Sequence, residues 1–277
     1  MQTALPFFSI LRVTGEDKAT FLNGQLSNDI KNLAENQACY ATYNTPQGRV
    51  LANMIIAHQN NALFIIIAKD LAESIAKRLK MFILRSKVQI EMLDDWGVSG
   101  SLKDNAQPIL PNQATLNFPI DQENNIHLPH SGCLNIAQKE QLPIYQPEYE
   151  QRWQQHEIQS GYLWISAKTS GAWVAQMLNQ HNIGAIHFRK GCYVGQEIIA
   201  RAQYLGQVKR SLAIAKHSKN LAINSKIYNQ QQEEAGEIIN SCNNWHLLVL
   251  KHSMAKEPLQ DEEGNAFIVH HFFFEQE

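Results

Sequence analysis

The amino-acid sequence predicts an α+β protein, with mixed helix-and-strand regions followed by a small antiparallel β-barrel. Strand-like and helix-like patterns alternate between Phe7 and Met92, as expected for helices packed on a sheet. From about Gly206 the pattern changes to short apolar runs separated by polar or glycine-containing turns. A hydrophobic content of 44% against 18% charged residues is that of a chain able to bury a core.

Phe7 to Val13 reads as a strand, and Gly15-Glu16-Asp17 opens a helix with Phe21, Leu22, Leu26 and Ile30 at helical spacing. Residues 38–44 and 49–58 read as strands joined at the turn signal Pro46-Gln47-Gly48. The apolar run Ala62 to Ala68 fits a buried strand. It leads into a helix over 69–84 with Leu71, Ile75, Leu79 and Phe82 along one side, and Lys87 to Met92 is strand again. Residues 103–131, rich in Pro, Asn, Asp and Gln, predict loops and short strands, and Gln151 to Gln159 reads as a helix carrying Trp153. The barrel strands are expected at Ser211–Ala215, Ile223–Tyr228, Glu237–Ile239, Trp245–Leu250 and Phe267–Phe274. These patterns place one region at 1–205 and a second at 206–277.

Several function classes are excluded. A formal charge of −2 rules out nucleic-acid binding by bulk charge and leaves room only for a local basic patch. No apolar run is long enough for a membrane helix. The opening Met1 to Pro6 has no basic n-region and no cleavage site, so a cytoplasmic protein is expected. Cysteines 39, 133, 192 and 242 form neither a CxxC nor a zinc-ligand spacing, which predicts reduced thiols and no metal site. His127 and His130, or His270 and His271, lack further ligands at useful spacing.

The chemistry concentrates in His187 to Arg201. Gly191 and Gly195 bracket Cys192 and Tyr193, where the backbone can turn sharply. The sequence after Gly195 reads as a helix, so Cys192 stands just ahead of a helix N-terminus beside Arg189 and Lys190. Both features favour thiolate over thiol. Between residues 189 and 210, Arg189, Lys190, Arg201, Lys209 and Arg210 face Glu197 alone, a local cationic excess suited to an anion. The plain alternative is that Cys192 is a small buried hydrophobe and the cations a solvated face.

Lys190-Gly-Cys-Tyr-Val-Gly-Gln-Glu197, continuing to Ala200-Arg201, resembles the K-G-C-Y-x-G-Q-E signature of the YgfZ family, folate-binding relatives of the glycine-cleavage T-protein. Further similarity lies in Val13 to Asp29, in Thr45-Pro-Gln-Gly-Arg49, in Arg85-Ser-Lys-Val88 and in Tyr204 to Arg210. The resemblance implies a ring of two mixed α/β (ferredoxin-like) regions and a C-terminal antiparallel β-barrel around a folate channel. It implies tetrahydrofolate or a one-carbon derivative as cofactor. It also implies a role in the synthesis or repair of iron–sulfur enzymes, including those of tRNA modification, with iron–sulfur clients and tRNA-modifying enzymes as partners.

Under that resemblance Cys192 and Lys190 are the candidate catalytic residues. The candidate folate contacts are Phe8, Asn28, Asp29, Trp153, Gln159, Tyr193, Gln196, Glu197 and Arg201, with Lys209 and Arg210 toward a glutamate tail. Two departures matter. Where the T-protein has G-G-I-x-D-D, this chain has Ala52 and Asn53, neither of which is a general base, so aminomethyl transfer loses its carboxylates. Where relatives carry a pterin-binding glutamate, this chain has Gln159, with Glu157 two residues before it. A non-catalytic adaptor for an iron–sulfur client or tRNA, and a one-carbon transferase, stand as alternatives.

Overall fold

The computed structural model describes residues 2–111, 116–206 and 208–274. The expected loops of 103–131 and the similarity segment 204–210 therefore each fall partly outside the described residues. The chain begins β1 (Gln2–Ala4), β2 (Phe8–Thr14), α1 (Lys18–Gln25), β3 (Gln37–Asn44), β4 (Val50–Gln59), β5 (Ala62–Ala68), α2 (Lys69–Lys80) and β6 (Gln89–Met92). It continues β7 (Trp96–Leu102), β8 (Phe118–Pro119), β9 (Asn125–His127), β10 (Gly132–Gln138), α3 (Pro147–Gln159) and α4 (Gln196–Tyr204). The last strands are β11 (Arg210–Lys216), β12 (Lys226–Asn229), β13 (Glu234–Cys242), β14 (Trp245–Lys251), β15 (Leu259–Gln260) and β16 (Ile268–Phe272).

These strands form three antiparallel sheets, ordered β6-β2-β5-β4-β3-β8, β1-β7-β10-β9 and β15-β12-β13-β14-β11-β16. Strand β5 explains the apolar run. Leu63, Ile65 and Ile67 enter one core with α1 and α2, whereas Ala62, Phe64 and Ile66 enter another with the four-stranded sheet. A strand covered on both faces has no polar side to alternate with. The C-terminal sheet divides in the same way. Leu212, Ile214, Leu247 and Val249 join the first core, while Ala213, Ala215, Leu248 and Leu250 build a third. Register shifts in the β11–β16, β12–β13 and β13–β14 ladders curl this sheet into a half-barrel.

The helices obey the local rules. α2 carries Asp70 in its first turn and Lys77, Arg78 and Lys80 in its last, each charge opposing the nearer end of the dipole. α3 opens on Pro147 with Glu148 and Glu150 following. Two helices are shorter than expected. α1 stops at Gln25, where Leu26 turns extended, and Ile30 reaches the core from irregular chain. α2 stops at Lys80, leaving Phe82 exposed instead of on the packed face, with Leu84 exposed beyond the helix. Strands β7 and β10 were not legible in the sequence. Their patterns include Gly97, Gly100 and Gly132, and two of these glycines give room to Trp153: a Cβ at Gly100 or Gly132 would lie 2.9 or 2.7 Å from the indole.

Candidate functional site

The 187–195 loop is anchored at both ends. His187 N–H donates to the Ser27 carbonyl at 3.0 Å. Gly195, at φ +82°, starts α4 in a conformation that side chains resist, and a Cβ there would stand 2.5 Å from the Thr45 carbonyl oxygen. The Thr45–Gly48 turn thus packs on the start of α4, with Gly48 against Ile198. Gly191 differs: a Cβ there would meet nothing within 4 Å. Of the bracketing glycines, only Gly195 answers a steric need inside the chain.

Between these anchors, Lys190 inserts its ammonium among the carbonyls that end α1. It donates to Asn23, to Leu26 at 2.7 Å and to Asn28 at 2.8 Å, with the Tyr193 ring centroid 5.0 Å away. All three N–H donors are used, so Lys190 closes a helix end and has no N–H left for the thiol at 192. Any action of Lys190 on Cys192 therefore runs through its charge and not through a hydrogen bond. Burial lowers the ammonium pKa to about 8, with Asp29 and Cys39 acting the other way. Of the four cysteines only Cys192 is exposed. Cys39 and Cys242 are buried, and burial raises both thiols, Cys242 to about 11. Tyr193 is buried in the first core, where desolvation raises its phenol. Gln196 is half-buried on α4, and Glu197 and Arg201 are exposed.

Asn28 and Asn53 are occupied by the fold. Asn28 Nδ2 donates to Tyr40 and Gly184 carbonyls at 2.7 and 2.9 Å, and its Oδ1 accepts from Asp29 N–H. Asp29 accepts in turn from Asn32 at 2.7 Å. Asn53 donates to the Leu163 carbonyl at 2.7 Å and accepts from Ile165 N–H at 2.8 Å. The amide that replaces a carboxylate therefore ties β4 to the segment after α3. Asn44, which the sequence did not single out, is buried with neither amide atom partnered among the described residues. Its place at a strand end gave no chemical signal.

A cavity of about 160 Å³ lies between the N-terminal segment, α3 and the C-terminal sheet. Leu5, Phe7 and Phe8 enter from the N-terminal segments, Trp153 and Glu157 from α3, Tyr162 and Trp164 from the following chain, Ile223 from the turn before β12, and Asn240 from β13 of the C-terminal sheet. Phe8 meets Trp164 edge-on at 4.6 Å. Trp164 Nε1–H donates to Glu157 Oε1 at 2.9 Å. Trp153 Nε1–H lies close enough to favour the charged form of Glu157, yet has no partner at full hydrogen-bond geometry. Burial outweighs both indoles and raises Glu157 to about 8, so the carboxyl is mostly protonated at neutral pH. His130 stands 4.0 Å from it, fully buried, with both ring nitrogens unpartnered among the described residues. Burial, then His156, lowers its pKa to about 3. The two groups meet as neutral acid and neutral imidazole, not as an ion pair.

Gln159 does not line this cavity. Trp153 and Glu157 are four residues apart and share a helix face, whereas Gln159 projects about 200° around from Glu157. The carboxyl that faces the space is thus Glu157. Cys192, Tyr193, Gln196, Glu197 and Arg201 also lie outside its walls, so Phe8 and Trp153 are brought together and the Cys192 group stands apart. A larger depression of about 830 Å³, lined by Arg12, Lys18, Asn60, Asn61 and Trp96 among others, holds no residue nominated from the sequence. Among the described residues no helix is long and apolar enough to cross a membrane.

No family model matches the chain. It is 27% identical over 298 residues to a tRNA-modifying protein YgfZ of Hamiltonella defensa, covering 96% of this chain and 89% of the relative. It is 30% identical over 238 residues to an uncharacterized protein of Haemophilus influenzae, covering 85% and 77%. A tRNA-modifying protein YgfZ of Yersinia pestis is 29% identical over 226 residues, covering 76% and 68%. Among solved structures, the glycine cleavage system aminomethyltransferase T from Bartonella henselae superposes with a TM-score of 0.73 at 10% identity, covering 98% of this chain and 84% of that one. That likeness establishes a shared fold.

Proposed function

This chain belongs to the YgfZ family of T-protein-like proteins, and from that membership we propose that it supports tRNA modification as a tetrahydrofolate-binding protein. The support is of an iron–sulfur enzyme, and Cys192 is the group that acts. The observation that carries the folate part is the aromatic cavity around Trp153 and Glu157. Its volume, below the roughly 300–1,000 Å³ of a drug-sized site, suits one fused ring system. The residues fit a reduced pterin. Phe8, Trp153 and Trp164 offer ring faces and edges. Glu157, with Asn240 Oδ1 and Trp153 Nε1–H, both without a partner among the described residues, offer hydrogen bonds to a polar heterocycle. When bound, tetrahydrofolate supplies one-carbon or reducing chemistry. The chain's own residues stack it, read its N–H edge and exclude water.

The adaptor reading has one observation in its favour: Cys192 is exposed and does not line the cavity. Aminomethyl transfer has none, because Asn53 is bonded on both sides to backbone and Ala52 is buried. Anaerobic calorimetric titration with tetrahydrofolate tests the folate reading. Wild type and Cys192→Ala are expected to bind alike. Trp153→Phe keeps an aromatic ring but loses the indole N–H, and is expected to bind about 5–20-fold more weakly. No heat of binding with wild type would overturn the folate reading and leave the adaptor.

A further inference from the structure

Around Cys192 the chain carries exposed cations that form no ion pair among the described residues. Arg189, Arg201 and Lys209 are exposed, and none has a side-chain hydrogen bond or ion pair among the described residues. Glu197 is the one carboxylate between residues 189 and 210. The surface is continuous with the Thr45–Gly48 turn packed on α4, and so with exposed Arg49, which donates to the Ala172 carbonyl. Next to Ala172, Trp173 carries the Arg210 guanidinium 5.5 Å from its ring centroid. On the same helix Tyr204 is 66% exposed, its ring set edge-on against Phe188 at 5.8 Å, and Leu205 beside it is 87% exposed.

These residues stand apart from the aromatic cavity around Trp153 and from the depression at Arg12 and Trp96. A phosphate backbone needs only spaced cations, and guanidinium groups match its oxygens in bidentate fashion. An exposed ring among such cations is also what base stacking uses. At about 13 Å, α4 is long enough to lie along several phosphates.

We propose that this face, centred on α4, binds the sugar–phosphate backbone of RNA with Tyr204 as a stacking platform, so that Cys192 lies at the edge of the docked RNA. The inference rests on the reading that this chain supports tRNA modification. It names the macromolecule and the surface.

The test is the binding of an unmodified tRNA transcript to the full chain, by fluorescence anisotropy from about 50 to about 300 mM salt. Three or four phosphate contacts predict a log–log salt slope between about −2 and −4. Arg189→Gln/Arg201→Gln/Lys209→Gln is expected to lose at least about 10-fold in affinity and to flatten the slope by about 2. Tyr204→Ala is expected to lose about 10-fold with the slope unchanged. Lys103→Gln/Lys139→Gln, also exposed but at the ends of β7 and β10, is expected to bind as wild type. Melting curves check that each variant folds. No binding at low salt, an equal loss in the control pair, or equal competition by poly-glutamate would each overturn the proposal, the last pointing to an acidic protein. The wider reading fails separately, if wild type binds the transcript yet does not restore tRNA modification in cells lacking it. A triple variant that restores modification fully overturns the surface alone.

Discussion

At the residue scale the decisive groups are Glu157, Lys190 and Cys192. Glu157 is a carboxyl kept in its acid form by burial, which gives it a proton to donate toward the cavity as well as an oxygen to accept. Its folded pKa of about 8 lies above its ordinary value near 4.5. Between those two pH values the folded state holds a proton that the unfolded chain has lost. Stability from this group is therefore complete below about pH 4.5 and declines until about pH 8. Urea unfolding across that window is expected to show wild type losing roughly 3–5 kcal/mol relative to Glu157→Gln, the comparison cancelling the opposite contribution of buried neutral His130, which both chains share. A wild-type profile with the same slope as the variant would mean that the carboxyl is ionised in place. Lys190 shows how a motif residue can carry a structural task that its position does not announce. A Lys two positions before a Cys suggests activation of the thiol, but the carbonyls ending α1 hold its ammonium.

At the scale of elements, the K-G-C-Y-x-G-Q-E run is a clamp followed by a pivot. Lys190 pins the loop to α1, and Gly195 allows the Thr45–Gly48 turn to lie on α4. The two glycines accordingly predict different outcomes. Gly195→Ala meets both a positive φ and the Thr45 carbonyl, and is expected to cost about 2 kcal/mol or more in denaturant unfolding. Gly191→Ala meets open space and is expected within about 0.5 kcal/mol of wild type. Equal losses at the two positions would show that the pivot is not where the packing puts it. Element boundaries were legible where periodicity ran into chemistry, as at Ala68, where an apolar strand gives way to Lys69-Asp70. They were not legible where tertiary contacts end a helix. The carbonyls released at α1 are satisfied by Lys190, 164 residues from Leu26, which no local window contains.

At the scale of the whole molecule, three sheets share two cores and leave between them a cavity drawn from the N-terminus, α3 and the C-terminal sheet. Cys192 stands outside that cavity, on the face that carries α4. This separation predicts that the two can be uncoupled in cells. Cys192→Ser is expected to lose support of tRNA-modifying iron–sulfur enzymes while purified protein keeps tetrahydrofolate affinity within about twofold. Modification profiles from a complemented deletion strain, set beside calorimetry, check this. Full complementation by the serine variant would sink the claim that the thiol acts.

By itself the sequence determined the α+β class, the buried strand at 62–68, the antiparallel C-terminal strands and the segment around Cys192, because each is written in local periodicity or a contiguous motif. Three things were decided by tertiary structure. Glu157, not Gln159, faces the aromatic cavity, since helix phase against the neighbouring sheets selects the side chain that is buried. Lys190 faces α1, since its partners are distant backbone carbonyls. The cavity itself exists only where the N-terminal segment, α3 and the C-terminal sheet meet, and a space between elements has no residue of its own to announce it.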